Sequence, residues 1–134
     1  LAYEAKSKKR IIEQNAFAVA VAPYVSREPF EVRLYPKTHR PYFEKMPLAE
    51  LRGVVAVLQS SLRRIEKYLR DPDLNFFIHT APIKNENLYS HYHWHIEILP
   101  KGFSIPAGFE FGTGVDITIV DPDRAAAILR GEKI

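Results

Sequence analysis

The chain has 134 residues, 46% hydrophobic and 26% charged, with 19 Lys and Arg against 16 Asp and Glu and no cysteine. That length fits one domain with its own core, the lack of cysteine excludes disulfides and thiolate metal sites within these residues, and a mild positive balance without a long basic stripe argues against nucleic acid while suiting anionic metabolites. The longest apolar stretch, Ala16 to Ala22, falls far short of the ~20 residues of a membrane span and the start has no signal-peptide pattern, so a cytoplasmic location with no membrane partner is expected.

In chain order, Lys6 to Arg10 and the Arg63-Arg64 pair read as solvated surface. Ile11 to Asn15 and Ala16 to Ala22 read as strands. In the second, Phe17, Val19 and Val21 alternate with alanines, a small-residue face that implies close packing, and Pro23 ends it. Phe30 to Tyr35 alternates again, with Phe30, Val32 and Leu34 inward and Glu31, Arg33 and Tyr35 outward, and pairs antiparallel with the strand before it. Pro47 opens a long helix whose apolar residues Leu48, Leu51, Val55, Leu58, Leu62, Ile65 and Leu69 recur at threes and fours, a stripe for covering a sheet face, and Asp71-Pro72 ends it.

Asn75 to His79 is a strand and Lys84 to Asn87 a polar loop. Lys101 to Gly114 is too long for a mere connection, and glycines at 108, 112 and 114 suit either a ligand-holding loop or a tight irregular turn. Val115 to Val120 reads as a further strand. Asp121-Pro122 is a cap followed by proline at the first turn, opening a helix through Ala125 to Arg130 that stops at Gly131. The order predicts an α+β fold over residues 1–134, a mostly antiparallel sheet packed by one long helix and a short C-terminal helix.

The chemistry concentrates in His91-Tyr92-His93-Trp94-His95, three of the five histidines, continuing into Ile96-Glu97-Ile98-Leu99. Read as one strand, the run puts His91, His93, His95 and Glu97 on one face and Tyr92, Trp94, Ile96 and Ile98 on the other. Same-face neighbours then stand roughly 6.5 to 7 Å apart, close enough for two imidazoles to converge on one metal ion or one phosphate. Histidine is the common neutral ligand of zinc and iron and the side chain most easily tuned for proton transfer near neutral pH.

His93-Trp94-His95-Ile96-Glu97-Ile98-Leu99-Pro100, with His79-Thr80-Ala81-Pro82 before it, Gly108 to Gly114 after it, and Pro29 to Val32 and Pro36 to His39 upstream, resembles the C-terminal half of galactose-1-phosphate uridylyltransferases of the histidine-triad superfamily. The resemblance implies a histidine-triad-like domain whose partner is an N-terminal half of the same enzyme. That half carries the nucleophile in a His-Pro-His-x-Gln motif not found here, so no catalytic residue is expected in these residues. The opening Leu1 in place of methionine is read as the mark of a fragment or processed piece.

It further implies that His79, His93 and His95 bind iron, with a glutamate from the first half as fourth ligand. Other members bind zinc through two cysteines at the start of this half and histidines matching His39 and His93. Leu1-Ala2-Tyr3 stands in place of those cysteines, which leaves His39 structural. Zinc or iron is therefore the expected cofactor. Ala107, Gly108, Phe109 and Glu110 resemble a loop that reaches into a neighbouring active site and holds sugar hydroxyls, which implies UDP-hexose and hexose 1-phosphate as substrates and a homodimer.

An ADP-sugar or dinucleoside phosphorylase shares these motifs. Two other readings remain: a stand-alone nucleotide hydrolase in which His91, His93 and His95 form the triad and His93 attacks phosphate, and a non-catalytic metal-binding half that dimerises. Glu97 weighs against the hydrolase, because a carboxylate on the phosphate-facing side repels an anionic substrate.

Overall fold

A computed structural model describes residues 2–103 and 105–133. Its centre is one antiparallel sheet of five strands, β1 (Ile11–Gln14), β2 (Ala18–Val21), β3 (Val32–Pro36), β4 (Leu74–His79) and β5 (His95–Pro100), in the order β1-β2-β3-β5-β4. β4 is therefore an edge, and β5 is held between β3 and β4. A short helix α1 (Ala2–Ser7) precedes the sheet, α2 (Leu48–Leu69) joins β3 to β4, and α3 (Gly108–Thr113) and α4 (Pro122–Arg130) follow β5. The α+β architecture with a long and a short C-terminal helix is the one expected from the sequence.

One sheet face is apolar. Ile12, Ala18, Ala20, Val32, Leu34, Ile96 and Ile98 pack with Val54, Val57 and Ile65 of α2 and with Ala125, Ala126 and Leu129 of α4. The alanines of β2 let α2 come close, and the helix answers with its own small residues. A Cβ added at Gly53 would lie 2.4 Å from the Phe17 ring, and the Gly53 carbonyl accepts a 2.8 Å bond from the Asn15 side chain. That close fit rotates α2 away from the expected stripe. Ile65 of that stripe is buried and Leu58, Leu62 and Leu69 pack against the core, but Val54, Val57 and Ser61 are buried too, Leu51 is half-buried, and Leu48 and Val55 are exposed.

Other expectations are corrected as well. Asn15, Ala16 and Phe17 form the turn between β1 and β2, where the Asn15 Oδ1 accepts the N–H groups of Phe17 and Ala18 at 2.8 and 2.9 Å. Phe30 holds a left-handed φ of 63°, so the strand starts at Val32, and Glu31, on the face it shares with Arg33, is fully buried rather than exposed. The segment from Val115 to Val120 is irregular and largely exposed and is not paired with any strand among the described residues. Gly108 to Thr113 is a helix turn rather than a loop.

Arg10, expected on the solvated surface, is buried. Its Nε donates to Glu4 and its Nη1 to Asp123, both at 2.8 Å, between the rings of Tyr3 and Tyr24. Burial opposes its charge, but the bonds to Glu4 and Asp123 outweigh that and raise its pKa. α1 is thereby tied to α4. Asp121 caps α4 through the N–H groups of Asp123 and Arg124, with Pro122 following, as the sequence indicated. Among the described residues no helix is long and apolar enough to cross a membrane.

Candidate metal centre

Strand alternation and register place the chemistry on the face away from α2. Arg33 stands opposite Glu97 across β3 and β5, and His79 stands opposite His95 across β4 and β5. The imidazoles of that second pair are stacked, with centroids 4.9 Å apart and planes 25° from parallel. Glu97 is 5% exposed, and its Oε1 lies 3.3 Å from His95 Nε2 and 3.7 Å from His79 Nε2. One donor atom from each of His79, His95 and Glu97 lies within 4.8 Å of the other two.

Hydrogen bonding fixes the protons. His95 Nδ1 is 3.1 Å from the His93 carbonyl, which can only accept, so Nδ1 carries the hydrogen and Nε2 presents its lone pair when the ring is neutral. A lone pair facing a carboxylate oxygen at 3.3 Å requires a proton or a cation between them. Zinc ligands of this kind stand about 2.0 to 2.2 Å from the ion, and a tetrahedral site then separates them by roughly 3.4 Å, close to the 3.3 and 3.7 Å between Glu97 and the two histidines. The donors fit a divalent ion of the kind that imidazole and carboxylate select.

His93 behaves differently from the expectation that joins it to His79 and His95. Its Nε2 donates to the Pro36 carbonyl at 2.9 Å, and its ring packs edge-on against His39 at 5.0 Å and Tyr35 at 5.9 Å. Burial, foremost, lowers its pKa, with His39 and His95 adding to the shift and the Pro36 bond opposing it. His39 in turn donates its Nε2 hydrogen to the Ser90 carbonyl at 2.8 Å. These two rings brace the approach to β5.

The single strand from His91 to Leu99 is not formed. Tyr92 N–H bonds the Tyr89 carbonyl and Trp94 N–H bonds the Arg40 carbonyl, so the ladder begins only at His95. His91 is exposed in the turn beside Tyr89, and the three histidines do not line up as a triad. Trp94 is fully buried, as its alternation indicated, with Phe43 edge-on at 5.1 Å.

Three residues of this face were not singled out as site residues. Glu31 Oε1 accepts from Arg33 Nε at 2.7 Å and its Oε2 accepts from Arg27 N–H at 2.6 Å. Arg33 Nε also approaches Glu97 Oε1 at 3.3 Å. Burial works against the charge of Arg33, but Glu31 and Glu97 overcome it and raise its pKa. Tyr35, its ring 5.2 Å from that of His95, has its pKa raised by burial, with Arg33 opposing and the two carboxylates adding. The alternating charges of Glu31, Arg33 and Glu97 were the available signal.

The expected sugar-holding residues sit at the start of α3. Ala107 precedes α3, and Glu110 accepts the Ala107 N–H at 2.9 Å, closing the first turn of its own helix. Phe109 and Phe111 are exposed, 55% and 79%. Of the Leu1-Ala2-Tyr3 stretch, Leu1 lies outside the described residues, and Ala2 and Tyr3 begin α1.

No protein-family model matches the chain. Among curated proteins it is 37% identical over 128 residues to an ADP-glucose phosphorylase of Arabidopsis thaliana, covering 95% of this chain and 36% of that protein. It is 26% identical over 138 residues to a galactose-1-phosphate uridylyltransferase of Thermotoga maritima, covering 98% of this chain and 43% of that one. The chain thus spans about two-fifths of the length of these relatives. The crystal structure of an ADP-glucose phosphorylase from Arabidopsis thaliana with bound ADP-glucose superposes with a TM-score of 0.84 at 36% identity, over 98% of this chain and 42% of that one. A zinc-bound histidine triad family protein from Mycobacterium smegmatis matches with a TM-score of 0.66 at 16% identity, over 97% of this chain and 90% of that one, a likeness of fold alone.

Proposed function

From homology to ADP-glucose phosphorylase and galactose-1-phosphate uridylyltransferase along nearly the whole chain, we propose that these residues form a metal-holding domain of a nucleotidyl-transfer enzyme acting on a nucleoside-diphosphate sugar. The observation that carries this reading is the convergence of His79, His95 and Glu97 on one point of a sheet shared with those enzymes. The greater identity to the phosphorylase favours an ADP-sugar with phosphate as acceptor over a UDP-hexose with hexose 1-phosphate. A second half, matching the part of the relatives that this chain does not span, supplies the nucleophilic histidine.

In that reaction a histidine attacks the α-phosphorus, the α–β phosphoanhydride bond breaks, and sugar 1-phosphate leaves. The acceptor phosphate then takes the nucleotidyl group from the histidine, with positioning supplying most of the rate. His79, His95 and Glu97 would hold zinc or iron, which when bound fixes β4 to β5 and adds positive charge beside the active face. His93 keeps its bond to Pro36 and acts as a brace rather than as ligand or nucleophile. Glu110 reads sugar hydroxyls once an assembled enzyme draws it from its own helix turn, and the exposed Phe109 and Phe111 of α3 suit the interface with a second subunit.

Two measurements test the proposal together. Plasma mass spectrometry of the purified chain should find about one equivalent of zinc or iron, lost in the His79→Ala, Glu97→Gln double variant. Incubation with adenosine phosphoramidate should give no turnover. Turnover by the chain alone that His93→Ala abolishes would replace this reading with that of a self-sufficient triad hydrolase.

A further inference from the structure

Glu97 Oε1 is claimed from two sides. The imidazole nitrogens of His95 and His79 lie 3.3 and 3.7 Å away, and Arg33 Nε lies 3.3 Å away. A divalent ion on the histidine side and a guanidinium on the other compete for the same oxygen, and the guanidinium cannot be neutralised by losing its proton. Something must hold Arg33 back if Glu97 is to serve a metal.

Glu31 has the geometry to do so. Arg33 Nε carries one hydrogen, and it is directed at Glu31 Oε1 at 2.7 Å rather than at Glu97. Glu31 is completely buried, and its second oxygen accepts the Arg27 N–H at 2.6 Å, so both oxygens are committed. The turn that delivers it is itself constrained. Phe30, immediately before it, is held at a left-handed φ of 63°, unfavourable for a bulky side chain, and is packed edge-on against Phe103 at 5.1 Å. A strained backbone beside a buried carboxylate is the kind of outlier that marks a site under functional constraint.

We propose that Glu31 is a positioning residue that sets the divalent-metal affinity of the His79, His95 and Glu97 centre by keeping Arg33 from pairing with Glu97. This rests on the metal-holding role proposed above. Without the charge at Glu31, Arg33 takes Glu97 as its counter-ion, and the carboxylate is withdrawn from the metal. Groups that orient a metal ligand from the second layer commonly change affinity by about 10- to 100-fold.

The experiment is zinc titration of the full chain against a chromophoric chelator, with far-UV circular dichroism recorded for each variant. Glu31→Gln should weaken zinc binding by about 10- to 100-fold. The Glu31→Gln, Arg33→Met double variant, which removes the competing cation together with its restraint, should return affinity to within a few fold of the original chain. A purely structural role predicts that the double variant is no better than the single one, and that result overturns the proposal. If Glu31→Gln does not fold, the double variant decides alone: wild-type affinity supports the proposal, and a tenfold loss refutes it. Zinc binding by the original chain with an unaltered Glu31→Gln sinks this inference and leaves the metal centre standing. An original chain that takes up no zinc and holds no iron by plasma mass spectrometry removes both.

Discussion

His79 and His95 face each other directly across β4 and β5, their rings stacked 4.9 Å apart, and each turns Nε2 toward the same oxygen of Glu97. The His79 side chain is 44% exposed, so it contributes little packing. His79→Ala should weaken zinc binding by more than about tenfold while shifting the apo-protein's stability by no more than about 0.5 kcal/mol. Chelator competition and urea denaturation of the apo form read the two effects separately.

Burial, foremost, lowers the pKa of His93 from its ordinary value of 6.5. A histidine whose pKa falls on folding binds more protons unfolded than folded in the interval between its two pKa values, so stability rises with pH across that interval. Its contribution is present above about pH 6.5, declines as pH falls through that value, and is fully lost below the depressed folded-state pKa. Denaturation midpoints of the apo chain at pH 7.5 and 5.5 should differ more in the original protein than in His93→Gln, which retains a donor for Pro36 but does not titrate. Equal differences would remove His93 as the source.

Gly53 is required by the close approach of α2 to the β1–β2 turn. Alanine there would normally strengthen a helix by about 0.8 to 1 kcal/mol, but its methyl would press on the Cβ and ring of Phe17 at 2.4 to 2.8 Å. Overpacking of this kind costs about 1 to 3 kcal/mol. Gly53→Ala should therefore destabilise, and the Gly53→Ala, Phe17→Ala pair should recover part of the loss in a double-variant cycle.

Trp94 is fully buried, yet its indole N–H has no hydrogen-bond partner among the described residues. Trp94→Ala should cost about 3 to 5 kcal/mol. Trp94→Phe removes the unpaired donor, whose burial costs about 1 to 3 kcal/mol, and should cost far less than alanine. Similar midpoints for the two variants in urea would contradict this balance.

Legibility in the sequence followed the range of the forces involved. The β2 and β3 alternation, the Asp121-Pro122 cap and the β4 strand are local patterns, and the chain forms them where the pattern lies. The stripe of α2 was read only in part: Ile65 is buried and Leu58, Leu62 and Leu69 pack against the core, but leucine spacing marks the largest side chains, whereas the alanines of β2 admit small ones, and Val54, Val57 and Ser61 are buried as well. Val115 to Val120 has strand alternation but joins neither edge of the sheet, and alternation alone does not supply a pairing partner. The His91 to His95 run alternates equally well, yet the Tyr89–Tyr92 turn and the Trp94 bond to Arg40 keep its first half off the ladder. Glu97 beside His95 follows from alternation along β5, but the placing of His79 against that pair depends on cross-strand register, which no local pattern encodes.

The order β1-β2-β3-β5-β4 leaves His79 on a strand with a neighbour on one side only. An ion held, as proposed, between His79 and the two β5 residues would therefore also be a clasp on the sheet's free margin, and its binding energy would become resistance of β4 to peeling away. Loss of the ion and fraying of the margin are then one event, and amide hydrogens along Leu74 to His79 should exchange with solvent at a pace set by metal occupancy.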